Sequence, residues 1–414
     1  MKLFERYFNR NVLSFESDFS ENLSLIVVLP ALDEPDLFCT LKSFEACRRT
    51  KVKVGVIIVV NHPEDCAVEV KRRNENIYDA LLEYTTQIST PNLEFCLIKA
   101  FDLPVASSGV GVVRKMAMDA AAWYFYKNGN PDGIIVSTDA DTLVEENYFE
   151  EIFNCFSKTD VAGVSINYAH VLEDIDASLR HAIIQYELYL RYYSRALRFI
   201  GHPYFYSCIG SAFACRVSDY VAQGGMNKRQ AGEDFYFLQK LMTTGRFTNL
   251  TATTVWPSAR ISSRTPFGTG QAVHKIMREG GMLQTYNWQA FLELKVFFED
   301  IGSLYKEEGA VIEEYMSKQA PALRAFLEEG DFVQKISEIN NNVASQVLFR
   351  KRFFDYFNAF RILKYLNFVH VGYWGKQTIE EAVTELFKEL KQVCPSTPYE
   401  MLLLLRLWDK TGNF

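Results

Sequence analysis

Short apolar runs alternate with amphipathic stretches along the first third of the chain. Continuous apolar runs predict buried strands at 23–30 (ending at Pro30), 54–61 and 93–100, with a fourth strand and turn at 133–141. Helical patterns predict helices at 36–48, with Asp36 as cap, at 68–87, and within 107–129, where a glycine-containing loop precedes the helix. Strands that alternate with helices favour an α/β layer with a parallel sheet.

The pattern changes in the second half of the chain. Residues 170–200 are expected to be helical, and another helix is expected to open at Glu233 and Asp234. Two strand-like pieces follow, RFTNLTAT and TVWPSARISS, and helical patterns dominate beyond the FGTGQ loop at 267–271. The expected organisation is therefore an N-terminal lead-in at 1–22, an α/β domain at 23–271 and a helical C-terminal region at 272–414.

Composition narrows the function classes. A net charge of -7 over 414 residues argues against general nucleic-acid binding, which needs a basic face. The eight cysteines form no C-x-x-C pair, so we expect no zinc site and reduced thiols in the cytoplasm. The polar segment Met1–Ser20 does not resemble a signal peptide, and no apolar run approaches the ~18 residues of a membrane span. Any membrane contact would be peripheral, at the inner face.

Acidic and polar residues follow three predicted strands, in LPALDE, VNHPED and STDAD. Ligands of open α/β sheets gather beyond the carboxyl ends of the strands, so these residues predict a site. Asp139 and Asp141 lie two apart in an extended chain and can present both carboxylates to one side. Hard divalent cations bind such oxygens together with phosphates, which makes the pair a candidate metal clamp. A solvated acidic turn remains the alternative for the triplet alone.

The segment GEDF, at 232–235, has two interpretations. Carboxylates are favourable at a helix N-terminus, so Glu233 and Asp234 could serve only the helix. Alternatively, one carboxylate is a general base that takes the proton of an acceptor hydroxyl. The local sequence does not separate the two.

Two further segments carry groups suited to anions. Arg260 and Arg264 lie in a loop rich in Ser, Thr and Gly, and guanidinium groups suit phosphates. Surface arginines beside a hinge are the alternative. The segment SSGVGVVRK, at 107–115, is not a dinucleotide fingerprint, because Arg114 stands at the place of the last glycine. A glycine loop before a helix still suits an anion.

Four segments, in chain order, resemble family 2 glycosyltransferases, which have a GT-A fold. LSLIVVLPALDEPDLFCTLKSF resembles their opening strand, turn and first helix, and GVGVVRKMAMDAA resembles their glycine–arginine stretch. IIVSTDADTLVEENYFEEI is similar to their D-x-D strand, and GSAFACRVSDYVAQGGMNKRQAGEDFYFLQKL to their acceptor-side segment. The resemblance covers about 23–265 and implies a Rossmann-like mixed sheet flanked by helices. The α-helical C-terminal extension lies outside it.

The resemblance implies a UDP- or GDP-sugar donor, a divalent metal (Mn²⁺ or Mg²⁺) and a carbohydrate or lipid-linked acceptor. Asp141 would be the principal metal ligand, and Asp139 would bind the metal or the ribose. Asp234 would be the catalytic base with Glu233 beside it, and the sugar would be transferred with inversion. The other donor-binding candidates are Pro30, Ala31, Glu34, Asn61, Arg114, Arg260 and Arg264.

The chain departs from the family pattern after the second strand, where Asn61 and His62 replace the usual acidic pair. The Asn61 amide oxygen can accept a hydrogen bond from a uracil or guanine N–H. The family's Q-x-x-R-W motif is also missing. His274 is a candidate for a last metal ligand, and a surface histidine at the domain boundary is the alternative.

The last third is rich in aromatic residues. Phe349, Phe353, Phe357 and Phe360 recur at helical spacing, which predicts packing between helices. An acceptor groove, or membrane contact aided by the basic triplet 350–352, are the alternatives. For the whole chain, the altered second-strand acids would also fit a catalytically idle nucleotide- or sugar-binding scaffold. A sugar nucleotidyltransferase would need a glycine-rich basic loop after the first strand, which LPALDEP lacks.

Overall fold

The computed structural model of the protein describes residues 1–227, 232–261 and 268–412, apart from the side chain of Ser107. The described residues of 1–175 and 208–274 form one compact unit, and those of 176–207 and 275–407 form a second. The segment 176–207 thus groups with the later helices, although it lies within the range expected for the α/β domain.

The described residues of the first unit include an eight-stranded mixed sheet. Its strands are β1 (Leu25–Ala31), β2 (Val54–Pro63), β3 (Leu93–Leu103), β4 (Ile134–Ser137), β5 (Thr142–Val144), β6 (Gly163–Tyr168), β7 (Phe213–Arg216) and β8 (Phe247–Pro257). Their order across the sheet is β3-β2-β1-β4-β7-β6-β8-β5. Only β7 and β5 of these strands run antiparallel to their neighbours. The predicted α/β class, a mixed sheet flanked by helices, is confirmed.

Helices surround the sheet and make up most of the second unit. Their bounds are α1 (Lys2–Phe8), α2 (Leu37–Ala46), α3 (Val68–Ile88), α4 (Val110–Lys127), α5 (Tyr148–Lys158), α6 (Ala177–Phe199), α7 (Val217–Ala222), α8 (Glu233–Met242), α9 (Thr269–Arg278), α10 (Trp288–Glu299), α11 (Gly309–Ser317), α12 (Pro321–Glu329), α13 (Phe332–Asn341), α14 (Gln346–Tyr356), α15 (Ala359–Gly372), α16 (Ile379–Glu389) and α17 (Pro398–Thr411). A short antiparallel pair joins β9 (Gln284–Thr285) to β10 (Gln377–Thr378).

The central strands are buried on both faces. Every residue of β1 and β4 is buried, which is why their sequences are continuous apolar runs. Strand β1 pairs with β4 only as far as Val28 and continues to Ala31 beside β2. Pro30 therefore lies where one side of β1 has no ladder, and its missing N–H does not end the strand there.

One strand prediction was wrong. RFTNLTAT and TVWPSARISS were expected to be separate pieces, but the single strand β8 runs through their junction. Thr253 and Thr254 at that junction are fully buried, and Thr254 pairs with Asn167 of β6. The register between the two strands shifts after Ile166, so an irregularity in pairing, rather than a turn, accommodates the polar junction.

The second unit has an aromatic core. Helix α14 gives way to α15 near Asn358, whose side chain accepts hydrogen bonds from two N–H groups of α15. Phe349, Phe353 and Phe357 are completely buried, and the rings of Phe353 and Phe297 lie 5.9 Å apart. These three rings therefore pack inside the unit, as the helical spacing predicts, whereas Phe360 lies on α15 and is half-buried.

The basic triplet at 350–352 is exposed on α14. None of the helices in the described part of the chain combines the length and apolar character needed to cross a membrane.

Candidate active site

The sheet topology brings three predicted site segments to one edge. Strands β2, β1 and β4 are parallel neighbours. Glu34 follows β1, Asn61 lies near the end of β2, and Asp139 follows β4. The carboxyl ends of these strands share an edge, as expected for parallel strands.

Arg114, in the second turn of α4, joins two acidic motifs. Its side chain is only 3% exposed. It donates hydrogen bonds from Nη2 to Asp139 Oδ1 at 2.9 Å and from Nε to Glu233 Oε1 at 3.2 Å. Nη1 donates to Ser137 Oγ at 2.7 Å and to the Gly210 carbonyl at 3.1 Å. Four of the five guanidinium N–H groups thus bind protein atoms, which fixes the D-A-D turn beside the start of α8.

The Asp234 carboxyl has a shifted pKa. Burial, and then the neighbouring Glu233 carboxylate, raise the pKa of Asp234 from 3.8 to about 6, while Arg114 acts in the opposite direction. Its Oδ1 accepts a hydrogen bond from the Phe235 N–H at 2.7 Å. Gly232, the residue before α8, has φ of 71°. A carboxyl that titrates near neutral pH is suited to taking a proton from a hydroxyl.

Arg260, just beyond β8, contacts three other carboxylates. Nη1 donates to Asp36 Oδ2 at 3.0 Å, and Nη2 donates to Asp141 Oδ2 at 3.2 Å and also to Glu34 Oε2. Asp36 was predicted to cap α2 with its side chain. It does occupy the cap position, but it forms no side-chain cap hydrogen bond there. Arg264, the second predicted phosphate-binding arginine, lies outside the described residues.

Asn61 is oriented by its amide nitrogen. Nδ2 donates to the carbonyls of Ala31, at 3.0 Å, and Val59, at 3.4 Å. Its amide oxygen accepts no hydrogen bond from the described residues. The buried donors fix which way the amide points, and the oxygen remains an acceptor for a ligand N–H.

Asn74, which no sequence motif singled out, supports this corner of the site. Asn74 is fully buried on α3, donates to the Asn61 carbonyl at 3.0 Å and accepts from the Asp33 N–H at 2.8 Å. It shares the buried face of α3 with Leu81, seven positions later, and Thr85, four positions beyond Leu81. A polar residue in register with a buried stripe was the available signal. Ser137 and Gly210 were also missed, and neither carries a local signal.

The donor set fits a divalent metal whose shell a ligand completes. Arg114 interacts with Asp139, Glu233 and Asp234, and Arg260 with Glu34, Asp36 and Asp141. Among these described side chains, six carboxylates and two guanidinium groups carry a net charge of -4 when all are ionised. A diphosphate adds more negative charge, so binding it here calls for a cation.

The described residues include no group of three or more His, Cys, Asp or Glu side chains that could hold a metal alone. Two carboxylates plus phosphate oxygens are nevertheless a usual Mg²⁺ environment. Asp139 and Asp141, which are 39% and 25% exposed, would supply the protein oxygens. His274 is exposed on α9 and belongs to no such group.

Comparisons with known proteins give structural likenesses only. No protein-family model and no curated protein matches the chain. The crystal structure of TarS 1–349 from S. aureus in complex with UDP-GlcNAc is 12% identical, covers 80% of this chain and 90% of that chain, and has a TM-score of 0.39. The same TarS fragment in complex with UDP is 12% identical, covers 81% of this chain and 91% of that chain, and has a TM-score of 0.40. The crystal structure of GalNAc-T7 with UDP, GalNAc and Mn²⁺ is 11% identical, covers 72% of this chain and 55% of that chain, and has a TM-score of 0.36.

Proposed function

We propose that this chain is a glycosyltransferase, of hexosyltransferase type, that moves a sugar from a UDP- or GDP-sugar to an acceptor hydroxyl with inversion. One observation carries the proposal. Arg114 contacts Asp139 and Glu233 at once, and so holds the D-A-D turn close to Asp234. A leaving-group site and a base with a pKa of about 6 thus lie within the reach of one guanidinium.

Each carboxylate would have its own task. The acceptor hydroxyl gives its proton to Asp234 while its oxygen bonds to the anomeric carbon, and the bond from that carbon to the diphosphate breaks. A divalent metal held by Asp139 and Asp141 would neutralise the charge that develops on the diphosphate. Glu233, which is 3% exposed and paired with Arg114, acts as a positioning residue.

The nucleobase would lie against the ends of β1 and β2. Pro30 and Ala31 form the last residues of β1, and the Asn61 amide oxygen would accept the imide N–H of uracil or N1–H of guanine. The amide nitrogen is already bonded to the Ala31 and Val59 carbonyls, so Asn61 cannot flip to donate without losing both bonds. A base that presents only an acceptor there would be disfavoured.

Calorimetric titration of UDP- and GDP-sugars with Mn²⁺ or Mg²⁺ tests the proposal, followed by assay of donor hydrolysis. Wild type should bind one nucleotide class and hydrolyse the donor slowly, whereas Asp141→Asn should lose hydrolysis. Asp132→Asn is the matched control, because Asp132 is exposed and precedes β4 at the strand's other end. Failure to bind any nucleotide with either metal contradicts the proposal.

The base is tested separately. Asp234→Asn should keep nucleotide binding and lose transfer, because the substitution removes the proton acceptor and leaves Asp139 and Asp141 in place. Below about pH 6, kcat/KM of the wild type should fall roughly tenfold per pH unit, because protonated Asp234 cannot accept a proton. Transfer that persists in Asp234→Asn would remove Asp234 from the mechanism and favour another base.

A further inference from the structure

Arg260 has an unusual set of partners for a residue expected to bind phosphate. It is 23% exposed, and its guanidinium is shared by Glu34, Asp36 and Asp141. Asp36 is 48% exposed, whereas Glu34 is 6% exposed and therefore depends on this cation more strongly. Nη2 alone serves both Glu34 and Asp141. The guanidinium is thus one counter-charge of the candidate metal ligand, and Asp141 shares it with Glu34.

We propose that Arg260 is an internal cation that competes with the divalent metal for Asp141 and transfers to the donor diphosphate when metal and donor bind together. The inference rests on the proposed function, since it takes Asp141 as a metal ligand. It concerns the order of binding: Arg260 makes metal binding weak until a diphosphate is present to accept the guanidinium.

Geometry requires the competition. A divalent cation binds a carboxylate oxygen at about 2.1 Å. Nη2 of Arg260 lies 3.2 Å from Asp141 Oδ2. A metal on that oxygen would therefore lie within about 5 Å of the guanidinium nitrogen, and the two positive groups repel each other.

The transfer step follows from the chemistry of the guanidinium. Arg260 lies beyond the end of β8, and Asp141 directly precedes β5. The two strands pair antiparallel, with Thr142 of β5 opposite Pro257 of β8. Both groups are therefore fixed to the same strand pair, and a diphosphate bound to the metal at Asp141 comes within reach of the guanidinium. Its planar fork matches two phosphate oxygens, which accept its hydrogen bonds in place of the Asp141 carboxylate.

The experiment measures Mn²⁺ binding by the full chain, first without nucleotide and then with UDP and GDP. Arg260→Gln removes the competing cation, so Mn²⁺ alone should bind on the order of tenfold more tightly than to wild type. UDP or GDP at saturating Mn²⁺ should bind at least about tenfold more weakly, because the diphosphate loses its fork. The Mn²⁺ affinity of Arg260→Lys should lie between those of wild type and Arg260→Gln. Arg73→Gln is the control, since Arg73 pairs with Asp33 after β1 and is 50% exposed.

The outcomes separate the two proposals. Equal Mn²⁺ affinity in wild type and Arg260→Gln, with binding lost in Asp141→Asn, overturns the role of Arg260 and leaves the metal assignment standing. An equal gain in Arg73→Gln overturns it too, because a general change in charge would then explain the result. Absence of Mn²⁺ binding to every variant, with and without nucleotide, overturns the metal assignment of the proposed function itself. Thermal unfolding midpoints confirm that each variant is folded.

Discussion

Replacing Asp234 with asparagine should stabilise the fold, and the gain should depend on pH. The folded-state pKa of Asp234 is about 6, against 3.8 for an unperturbed carboxyl. Between these values the folded chain binds more protons than the unfolded chain, so the contribution of Asp234 to stability falls as pH rises through this window. Above pH 6 the wild type carries the full cost of a buried charge. Asparagine carries none.

The size of the effect follows from the two pKa values. A difference of about two in pKa corresponds to ~3 kcal/mol in the free energy of unfolding. Linkage gives a gain of about 3 kcal/mol for Asp234→Asn at pH 8 and about 1 kcal/mol at pH 4.5. The asparagine carbonyl can still accept the Phe235 N–H, which lies 2.7 Å from Oδ1 of the aspartate. The substitution therefore removes the charge and keeps the local hydrogen bond.

Glu233→Gln is the matched comparison, one residue away. Glu233 is paired with the buried guanidinium of Arg114 at 3.2 Å. Removing its charge breaks this buried pair and leaves Arg114 with Asp139 and Asp234, and should lower the free energy of unfolding by up to about 3 kcal/mol. Thermal unfolding of both variants at pH 4.5 and pH 8 gives the test. The reasoning is refuted if Asp234→Asn is no more stable than wild type at pH 8, or gains equally at both pH values.

Two further substitutions test the supports of the site and of the domain. Gly210→Ala would place a methyl group 2.9 Å from Nη2 of Arg114 and 3.1 Å from Oδ2 of Asp234. We expect kcat to fall by more than about tenfold in a transfer assay, because catalytic groups displaced by even 1 Å lose their alignment. Tyr7→Phe removes a hydroxyl that donates to Asp119 at 2.6 Å. It should lower the free energy of unfolding by about 1–3 kcal/mol in a denaturant titration.

Gly210→Ala and Tyr7→Phe each have a matched control. A methyl group at Gly372, at the end of α15, would meet no atom within 4 Å, so Gly372→Ala should leave kcat unchanged. Tyr126 of α4 packs against Phe4 of α1, the helix that also carries Tyr7. The Tyr126 hydroxyl forms no hydrogen bond with any described residue. Tyr126→Phe should therefore be nearly neutral. Equal losses in Tyr126→Phe and Tyr7→Phe would show that the Asp119 hydrogen bond is not the cause.

Most of the strands, and the edge where they end, could be predicted from the sequence. Buried parallel strands must be apolar on both faces, so β1, β2 and β4 appear as continuous apolar runs. Their carboxyl ends share an edge whatever the strand order, which is why Asp139, Asn61 and Glu34 could be assigned to one site. The wrong division of β8 has the same physical origin. Thr253 and Thr254 are polar but buried, and apolar pattern alone marks such residues as a break.

Only the tertiary structure decided which charges meet. Arg114 and Glu233 are 119 positions apart, and Arg260 and Glu34 are 226 apart. No local periodicity encodes such pairs, because they depend on strand order and on where α4 begins and β8 ends. The pKa of Asp234 has the same dependence, since burial by distant segments is its largest cause. The sequence by itself determined which residues are chemically competent and at which edge they lie. The packing of remote segments determined their partners, their protonation and therefore their separate roles.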